Sequence, residues 1–592
     1  MIAHDIVTIS PVPETDFEAL KMNQHPIKHF LSRMAMPQLA ILGICSGLIT
    51  GLMISLFRMM TEWPLEALLE NRFSSLPLEV RFLLPIAGAI ALIMLLLILP
   101  SRWQQTWVGV GHVLQKLHLG AARLPGGNLI TQILGGAIAL LSGFAVGREG
   151  PEIHMGAASS SLLGQKLELP FSSLRLLVGC GAAAAVSAAF NTPLAGVVLA
   201  MEVIMLEYSF IGFVPVILAS VSANLLANWL TGPALVFNQP LSSINLLLES
   251  PLVILVGISA GVLGACFTLL VRWFGRFGHW HFASRFLIVG LVTGVIAILV
   301  PQVMGTGYLL TDEILDSELA VSVLAGLLIA RLLASTIALG MGIPGGAIGP
   351  ILLIGAAMGS LIAGLVNSST LGTPVDQSTY AMLGMTAMMG AVLQAPLAAL
   401  MAVLELTGNP GILTPGMLAL VSASLIYGPL FRQKSLFVSL LNDKNIILPL
   451  NPMEQNNIRV IALADRRFAN IHPMPEFDLL QVTLSPANQW LIVKNTNSDP
   501  LALYRREDIL AWLDTNDYFQ EVHAAPLDLE GELMPHTSFC TMDCNTGALE
   551  VLREFYRTDC DAIVLMERSG DNYRALGVVT RHALELQLEP RH

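Results

Sequence analysis

Gly147–Ala158 reads GREGPEIHMGAA, and Gly346–Ala357, 199 positions later, reads GAIGPILLIGAA. In both stretches a glycine and a proline stand four apart, and Gly-Ala-Ala begins five residues after the proline. A second matched pair follows each of these. Phe190–Val203 (FNTPLAGVVLAMEV) and Leu393–Leu406 (LQAPLAALMAVLEL) each carry Pro-Leu-Ala, six residues and then a glutamate, Glu202 or Glu405, 203 positions apart. Two pairs in the same order at nearly the same offset make an internal repeat. Apolar segments interrupted by Gly and Pro at matching places of two membrane halves are a pointer to a transport site.

The surrounding composition is that of a membrane protein. The chain has 592 residues, 54% of them hydrophobic and 12% charged, with a mean hydropathy of +0.67. Typical soluble proteins are about 25% charged, so this chain lacks the polar surface to cover itself in water. Long apolar runs recur at Met36–Phe57, Phe82–Leu99, Leu129–Val146, Leu174–Phe190, Phe210–Leu230, Leu252–Val271, Phe286–Val300, Leu319–Leu339, Ile351–Leu365 and Ile412–Leu430. Many are short or broken by some of the 50 glycines and 33 prolines. Broken helices are tolerated at membrane depth where the freed backbone is buried in protein or lines a wet cavity. A net charge of −12 without a basic run excludes a nucleic-acid binder. No HExxH, GxSxG or GxxxxGK[ST] motif lies in the apolar region, so an enzyme is not expected, and six scattered cysteines make no disulfide framework.

Charge divides the chain. Residues 451–592 hold 12 Lys+Arg and 22 Asp+Glu, leaving 19 and 21 for the first 450. The expected domains are a polar tail over 1–35, a transmembrane domain over 36–450 and a water-soluble domain over 451–592. Arg432, Lys434 and Lys444 after the last apolar run favour a cytoplasmic C-terminus.

Gly147–Pro151 predicts a helix start, because proline suits the first helical turn. Flanking glycines let backbone approach a ligand, and free N–H groups with the positive end of the helix dipole form an anion site without a fixed cation. Gly346–Pro350 repeats the construction with no charged side chain. Glu149, ionised, would occupy such a site and block it; protonated, it would swing away. It is a candidate gate and proton carrier, against the plainer reading of an ion pair with Arg148. Glu202 and Glu405 are expected to be structural, bonding backbone amides of a neighbouring element. His154 is expected to be packed or hydrogen-bonded rather than a metal ligand, and Arg331 is a candidate to pair with a carboxylate, with no partner identifiable in the sequence.

These residues resemble the CLC family of chloride channels and proton-coupled chloride transporters. GREGPEIH at Gly147–His154 is similar to the family's GK/REGPxxH signature, and the resemblance covers about residues 35–445. It implies an all-α polytopic fold with an inverted repeat of some eighteen helices, many not fully spanning. It also implies a homodimer with one pore per subunit, chloride as the transported ion and a multi-pass place in a bacterial plasma (inner) membrane. No metal or resident cofactor is implied for the membrane domain. The anion-contact positions it implies are Val110, Gly111, Gly147, Arg148, Glu149, Gly150, Gly346, Ala347, Ile348 and Phe437, with Glu149 as the external gate. Three positions depart from the pattern. Val110 stands where the family has a chloride-coordinating serine, Ile348 where it has a phenylalanine and Phe437 where it has the pore tyrosine. The internal proton-transfer glutamate aligns with Val203, which carries no proton. A passive voltage-gated-type channel is therefore the first expectation and a proton-coupled antiporter the alternative.

In the soluble part, Thr537–Leu588 predicts strand Ser538–Asp543, helix Thr546–Tyr556, strands Ala562–Glu567 and Ala575–Val579, and helix Arg581–Leu588. Gly577–Arg581 resembles the cystathionine-β-synthase (CBS) module, and a weaker first copy spans about Ile458–Asp514. Such tandem pairs often bind adenine nucleotides through an aspartate, and a structural or dimer-stabilising tail is the equal alternative. Asp508 is the candidate in the first copy, and Ala583 takes that place in the second.

Overall fold

The computed structural model describes residues 36–69, 73–100, 109–119, 122–208, 210–232, 246–316, 319–369 and 374–444 of the apolar part. In the tail it describes 460–462, 464–475, 477–494, 500–515, 537–544, 548–558, 560–569 and 572–581, with residues 237, 446, 448, 529, 546, 583 and 584 besides. Residues 1–35 and 585–592, including the end of the helix expected over Arg581–Leu588, lie outside the described residues.

The first half contains α1 (Met36–Leu69), α2 (Leu78–Ile98), α3 (Val110–His118), α4 (Gly126–Leu141) and α5 (Glu149–Lys166). It continues with α6 (Phe171–Phe190), α7 (Pro193–Leu199, widening into a π-helix over Ala200–Met205) and α8 (Phe210–Thr231). The second half repeats this order. It comprises α9 (Leu246–Gly275), α10 (Phe282–Leu299), α11 (Tyr308–Asp316), α12 (Val321–Gly340), α13 (Ile348–Ser368), α14 (Gln377–Leu393), α15 (Pro396–Thr407) and α16 (Leu413–Leu425). A closing helix, α17 (Leu436–Asp443), follows. Among the described residues nine helices are long and apolar enough to cross a bilayer, while helices such as α3, α7, α11 and α15 are not.

The repeat reaches the backbone. Gly109 and Gly307 start α3 and α11 with φ of 86° and 89°; Gly143 and Gly342 end α4 and α12 with 74° and 87°; Asn191 and Gln394 end α6 and α14 with 58° and 52°. The glycine of each Gly-Ala-Ala lets two helices touch. A Cβ at Gly156 would strike the Gly181 carbonyl on α6, and one at Gly355 would lie 2.5 Å from the Gly384 carbonyl on α14.

The family resemblance implies inverted halves, which the count of apolar runs alone does not settle. Reciprocal contacts decide it. Glu202, just past α7, accepts from the amides of Leu397 (3.3 Å) and Ala398 (2.8 Å) at the start of α15. Glu405 near the end of α15 accepts from Leu194 (2.9 Å) and Ala195 (2.7 Å) at the start of α7. Each helix end meets the other's beginning, so α7 and α15 are antiparallel and the approximate two-fold axis relating the halves lies across them. The structural role expected of both glutamates is what forms, and each serves as an N-terminal cap from the opposite half.

Two expectations differ from what folds. The run Leu129–Val146 stops being helical at Leu141, because Gly143 turns the chain and Phe144–Val146 leads into an extended contact. α14 was not among the expected runs. Its Met, Thr, Gly and Ala face protein on every side, so it needs no lipid-facing apolar stripe.

The tail contains two copies of one β–α–β–β unit. The first is β1 (Phe468–Ile471), α18 (Phe477–Thr483), β2 (Trp490–Lys494) and β3 (Pro500–Arg505), followed by α19 (Arg506–Thr515). The second is β4 (Phe539–Asp543), α20 (Ala548–Thr558), β5 (Ala562–Ser569) and β6 (Asn572–Thr580). In each sheet the first pair is parallel and the second antiparallel. One face of β2 (Leu491, Val493) packs with Ile509 and Leu513 of α19, while the other (Trp490, Ile492) meets Val564 and Val578 of the second sheet.

Candidate functional site

The two helix starts singled out by the repeat meet. Gly147 N–H donates to Gly346 O at 2.8 Å and Gly346 N–H to Gly147 O at 2.7 Å, a single antiparallel bridge between the halves. α5 begins at Glu149 and α13 at Ile348, so two dipole-positive ends with their free amides converge just past this bridge. There is no room for side chains at the joint: a Cβ at Gly150 would lie 2.6 Å from the Gly345 carbonyl, and one at Gly346 2.5 Å from the Gly150 amide.

The carboxyl of Glu149 occupies the space between these ends. It is 1% exposed and lies against the Cα positions of Gly147, Gly346 and Gly349. Neither of its oxygens has a well-aligned hydrogen-bond partner among the described residues, although the amides of Glu149 itself and Gly349 lie near it. A buried ionised carboxylate without well-aligned partners is costly. It can relieve that cost by accepting a proton or by leaving, and its departure opens the same positive point to another anion.

Arg148 does not pair with Glu149. Its guanidinium bonds Glu62 of α1 and the Ala189 carbonyl (2.9 Å), stands 3.8 Å from Glu152, and lies over the rings of Phe190 and Tyr308 at 5.6 and 5.2 Å. Its hydrogen bonds thus go to Glu62 and the Ala189 carbonyl, not to the Glu149 carboxyl.

Two cavities sharing no lining residue approach Glu149. One, of about 1040 Å³, reaches Gly109, Val110, Gly111, Gly150, Gly345, Gly346, Ala347 and Phe437. Its wall carries Arg272, Arg276, Arg285 and Lys444, with Asp443. The other, of about 770 Å³, is lined by Arg148 and Thr306–Leu310, with Arg58, Glu62, Glu66, Asp312, Glu313 and Asp316 around it. The C-terminal ends of α9 and α1 wall the first and second cavities respectively, and the inverted repeat puts those ends on opposite faces of the domain. A cationic vestibule and a mainly acidic one therefore face each other across Glu149.

The structure gathers Val110, Gly111, Gly147, Glu149, Gly150, Gly346, Ala347, Ile348 and Phe437 around this junction. Val110 and Phe437 start α3 and α17, adding two helix beginnings but no side-chain donor to the cationic vestibule. Val203 is buried in the π-turn beyond α7, next to Ile204, whose carbonyl meets His118 at 3.0 Å. Asp508 is exposed on the first turn of α19, apart from the membrane site. Among the described residues no group of His, Cys, Asp and Glu could hold a metal ion.

Three features escaped the sequence. The first is the partner of His154: that residue is hydrogen-bonded, as expected, and its partner is His112 at 2.9 Å, tying α5 to α3 through two stacked, buried rings. Only the fold brings these residues together. Among the described residues Arg331 has no carboxylate within ion-pair distance; its guanidinium donates to the carbonyls of Val303 (2.6 Å), Gly305 (2.8 Å) and Thr306 (2.6 Å). It thereby fixes the loop that places Tyr308, the third feature, beside Glu149. The glycine pair Gly305 and Gly307 around a threonine was the available signal for a tightly held loop.

A family model described as "Voltage gated chloride channel" matches residues 87–428, which is 342 of the 592 residues. A putative chloride channel protein ClcB-like of Ralstonia nicotianae is 29% identical over 358 residues, covering 59% of this chain and 82% of that protein. An H(+)/Cl(−) exchange transporter ClcA of Vibrio vulnificus is 30% identical over 328 residues, covering 53% of this chain and 70% of the relative. The solved structure of a eukaryotic CLC transporter superposes with a TM-score of 0.63 at 19% identity, over 92% of this chain and 97% of that one. The chain belongs to the CLC, or voltage-gated chloride channel, family of membrane anion-transport proteins.

Proposed function

We propose that this protein is a proton-coupled chloride antiporter, with Glu149 carrying the proton and competing with chloride for one site. The observation that supports it is the carboxyl of Glu149, held without a well-aligned hydrogen-bond partner between two helix N-termini and between two separate cavities. Protonation releases the carboxyl and lets an anion take its place. Return of the carboxylate expels the anion and hands the proton to the side it came from or the opposite one. Relatives named H(+)/Cl(−) exchange transporters favour this reading over the passive channel expected from Val203. The channel remains the second reading because Val203 offers no proton and some relatives are named channels. A chloride gradient across proteoliposomes distinguishes them. The antiporter moves protons uphill at a fixed ratio to chloride; chloride flux with no proton movement is the channel.

The cationic vestibule with Arg272, Arg276, Lys444 and nearby Arg432 supports an orientation with that face and the tail in the cytoplasm. A second copy of the chain would cover α7 and α15, which expose Leu194 and Leu397 (54% and 49%) beside two part-exposed glutamates. The repeated β–α–β–β unit supports reading the tail as a CBS-like tandem, with Asp508 as the group to hold an adenine nucleotide's ribose.

A further inference from the structure

We propose that Tyr308 is the side-chain hydrogen-bond donor to the anion at the acidic-vestibule end of the path, on the reading above that Glu149 shares its site with chloride. The proposal stands on two orphaned groups that face one point. The Tyr308 hydroxyl is buried, on a residue only 7% exposed, and has no hydrogen-bond partner among the described residues. The Glu149 oxygens are equally buried and have no well-aligned partner. A Cβ built on Gly349 would lie 2.9 Å from Glu149 Oε1 and 3.1 Å from Tyr308 Oη. A donor lacking an acceptor and an acceptor lacking a well-aligned donor thus flank the same glycine at the tip of α13. Leaving a buried hydroxyl unmet is costly, so such a group calls for an explanation.

Everything except the hydroxyl is fixed. Arg331 clamps the loop before Tyr308 by three carbonyls. The ring meets Phe190 edge-on at 5.7 Å and carries the Arg148 guanidinium over its face at 5.2 Å. Tyr308 also opens α11, a nine-residue helix whose positive end points the same way.

The repeat sharpens the assignment. Gly109 and Gly307 precede matched helices with nearly equal φ, so Tyr308 is the counterpart of Val110. One half of the molecule places an apolar side chain at the mouth of the path and the other a hydroxyl. The two mouths are therefore chemically unequal: the cationic one attracts by charge, while the acidic one holds the anion by a directed hydrogen bond.

Calorimetric chloride binding to the purified full chain tests this in the Glu149→Ala background, which vacates the shared site. Adding Tyr308→Phe removes one oxygen and keeps the ring. Chloride affinity is expected to fall roughly ten-fold, the size of one hydrogen bond to a charged partner, and the preference for chloride over iodide, a poorer acceptor, to shrink. Equal affinity with and without the hydroxyl overturns the proposal and leaves the transport reading standing. No chloride binding to Glu149→Ala itself would sink that reading and the proposal together. Should Tyr308→Phe fail to fold, Tyr308→His keeps an N–H donor and is expected to hold affinity within about three-fold, whereas Tyr308→Leu, with no donor, is not. Matching affinities for those two would also overturn it.

Discussion

The helix starts at Gly147–Pro151 and Gly346–Pro350 share a backbone and differ in their side chains. Both present glycine, a helix beginning and a proline in its first turn, and they bridge to each other through paired amides and carbonyls. The first carries Arg148 and Glu149 where the second carries Ala347 and Ile348. On the proposed function, the attraction for an anion is built twice, from backbone, while the device that refuses or releases it is built once, from a single carboxyl. A duplicated scaffold can hold an ion symmetrically; coupling requires that the halves be made unequal.

The backbone half of this comparison breaks most readily. Gly150→Ala puts a Cβ 2.6 Å from the Gly345 carbonyl, so chloride flux in proteoliposomes should fall by at least about ten-fold. Gly326→Ala, where nothing lies within 4 Å, should leave it unchanged. Next comes the side-chain half. Glu149→Gln should abolish proton movement while chloride still flows, and that flow should no longer vary between pH 4.5 and pH 7.5. Ile348→Glu places a second carboxyl at the matched position. Its flux should drop several-fold at pH 7.5 and recover as acid neutralises the carboxyl, measured by chloride efflux; pH-independent flux would mean that the two tips are not equivalent. The smallest effect belongs to the crossed caps. Glu202→Ala and Glu405→Ala each remove a carboxylate from two amides, and each should cost about 1–2 kcal/mol of stability by thermal unfolding in detergent. A large difference between the two would break the symmetry inferred from them.

Much of this was legible in the sequence because membrane structure leaves few solutions. Apolar length fixed most spans, and the matched Gly-Pro interruptions marked the junction. The spacing of Glu202 and Glu405 marked the caps, although their crossing required two helices to lie antiparallel, which spacing does not express. α14 was missed because a helix walled in by protein carries no lipid-facing signal. Arg331 invites a carboxylate partner that the sequence does not identify; carbonyls from an irregular loop, which no motif announces, take its hydrogen bonds instead. His112 and Tyr308 gave no signal of their own. Each acquires a role only when folding places it beside a residue 42 or 159 positions away, His154 or Glu149. In the tail, short apolar runs bounded by turn residues placed β4, α20, β5 and β6 to within a few residues.

Anomalous diffraction from crystals of the Glu149→Ala variant grown in bromide tests the central claim most directly. A bromide peak between the start of α5 and the start of α13, in the space the Glu149 carboxyl fills in the native chain, is the predicted result. Bromide bound elsewhere along the two vestibules, with that space empty, would contradict it.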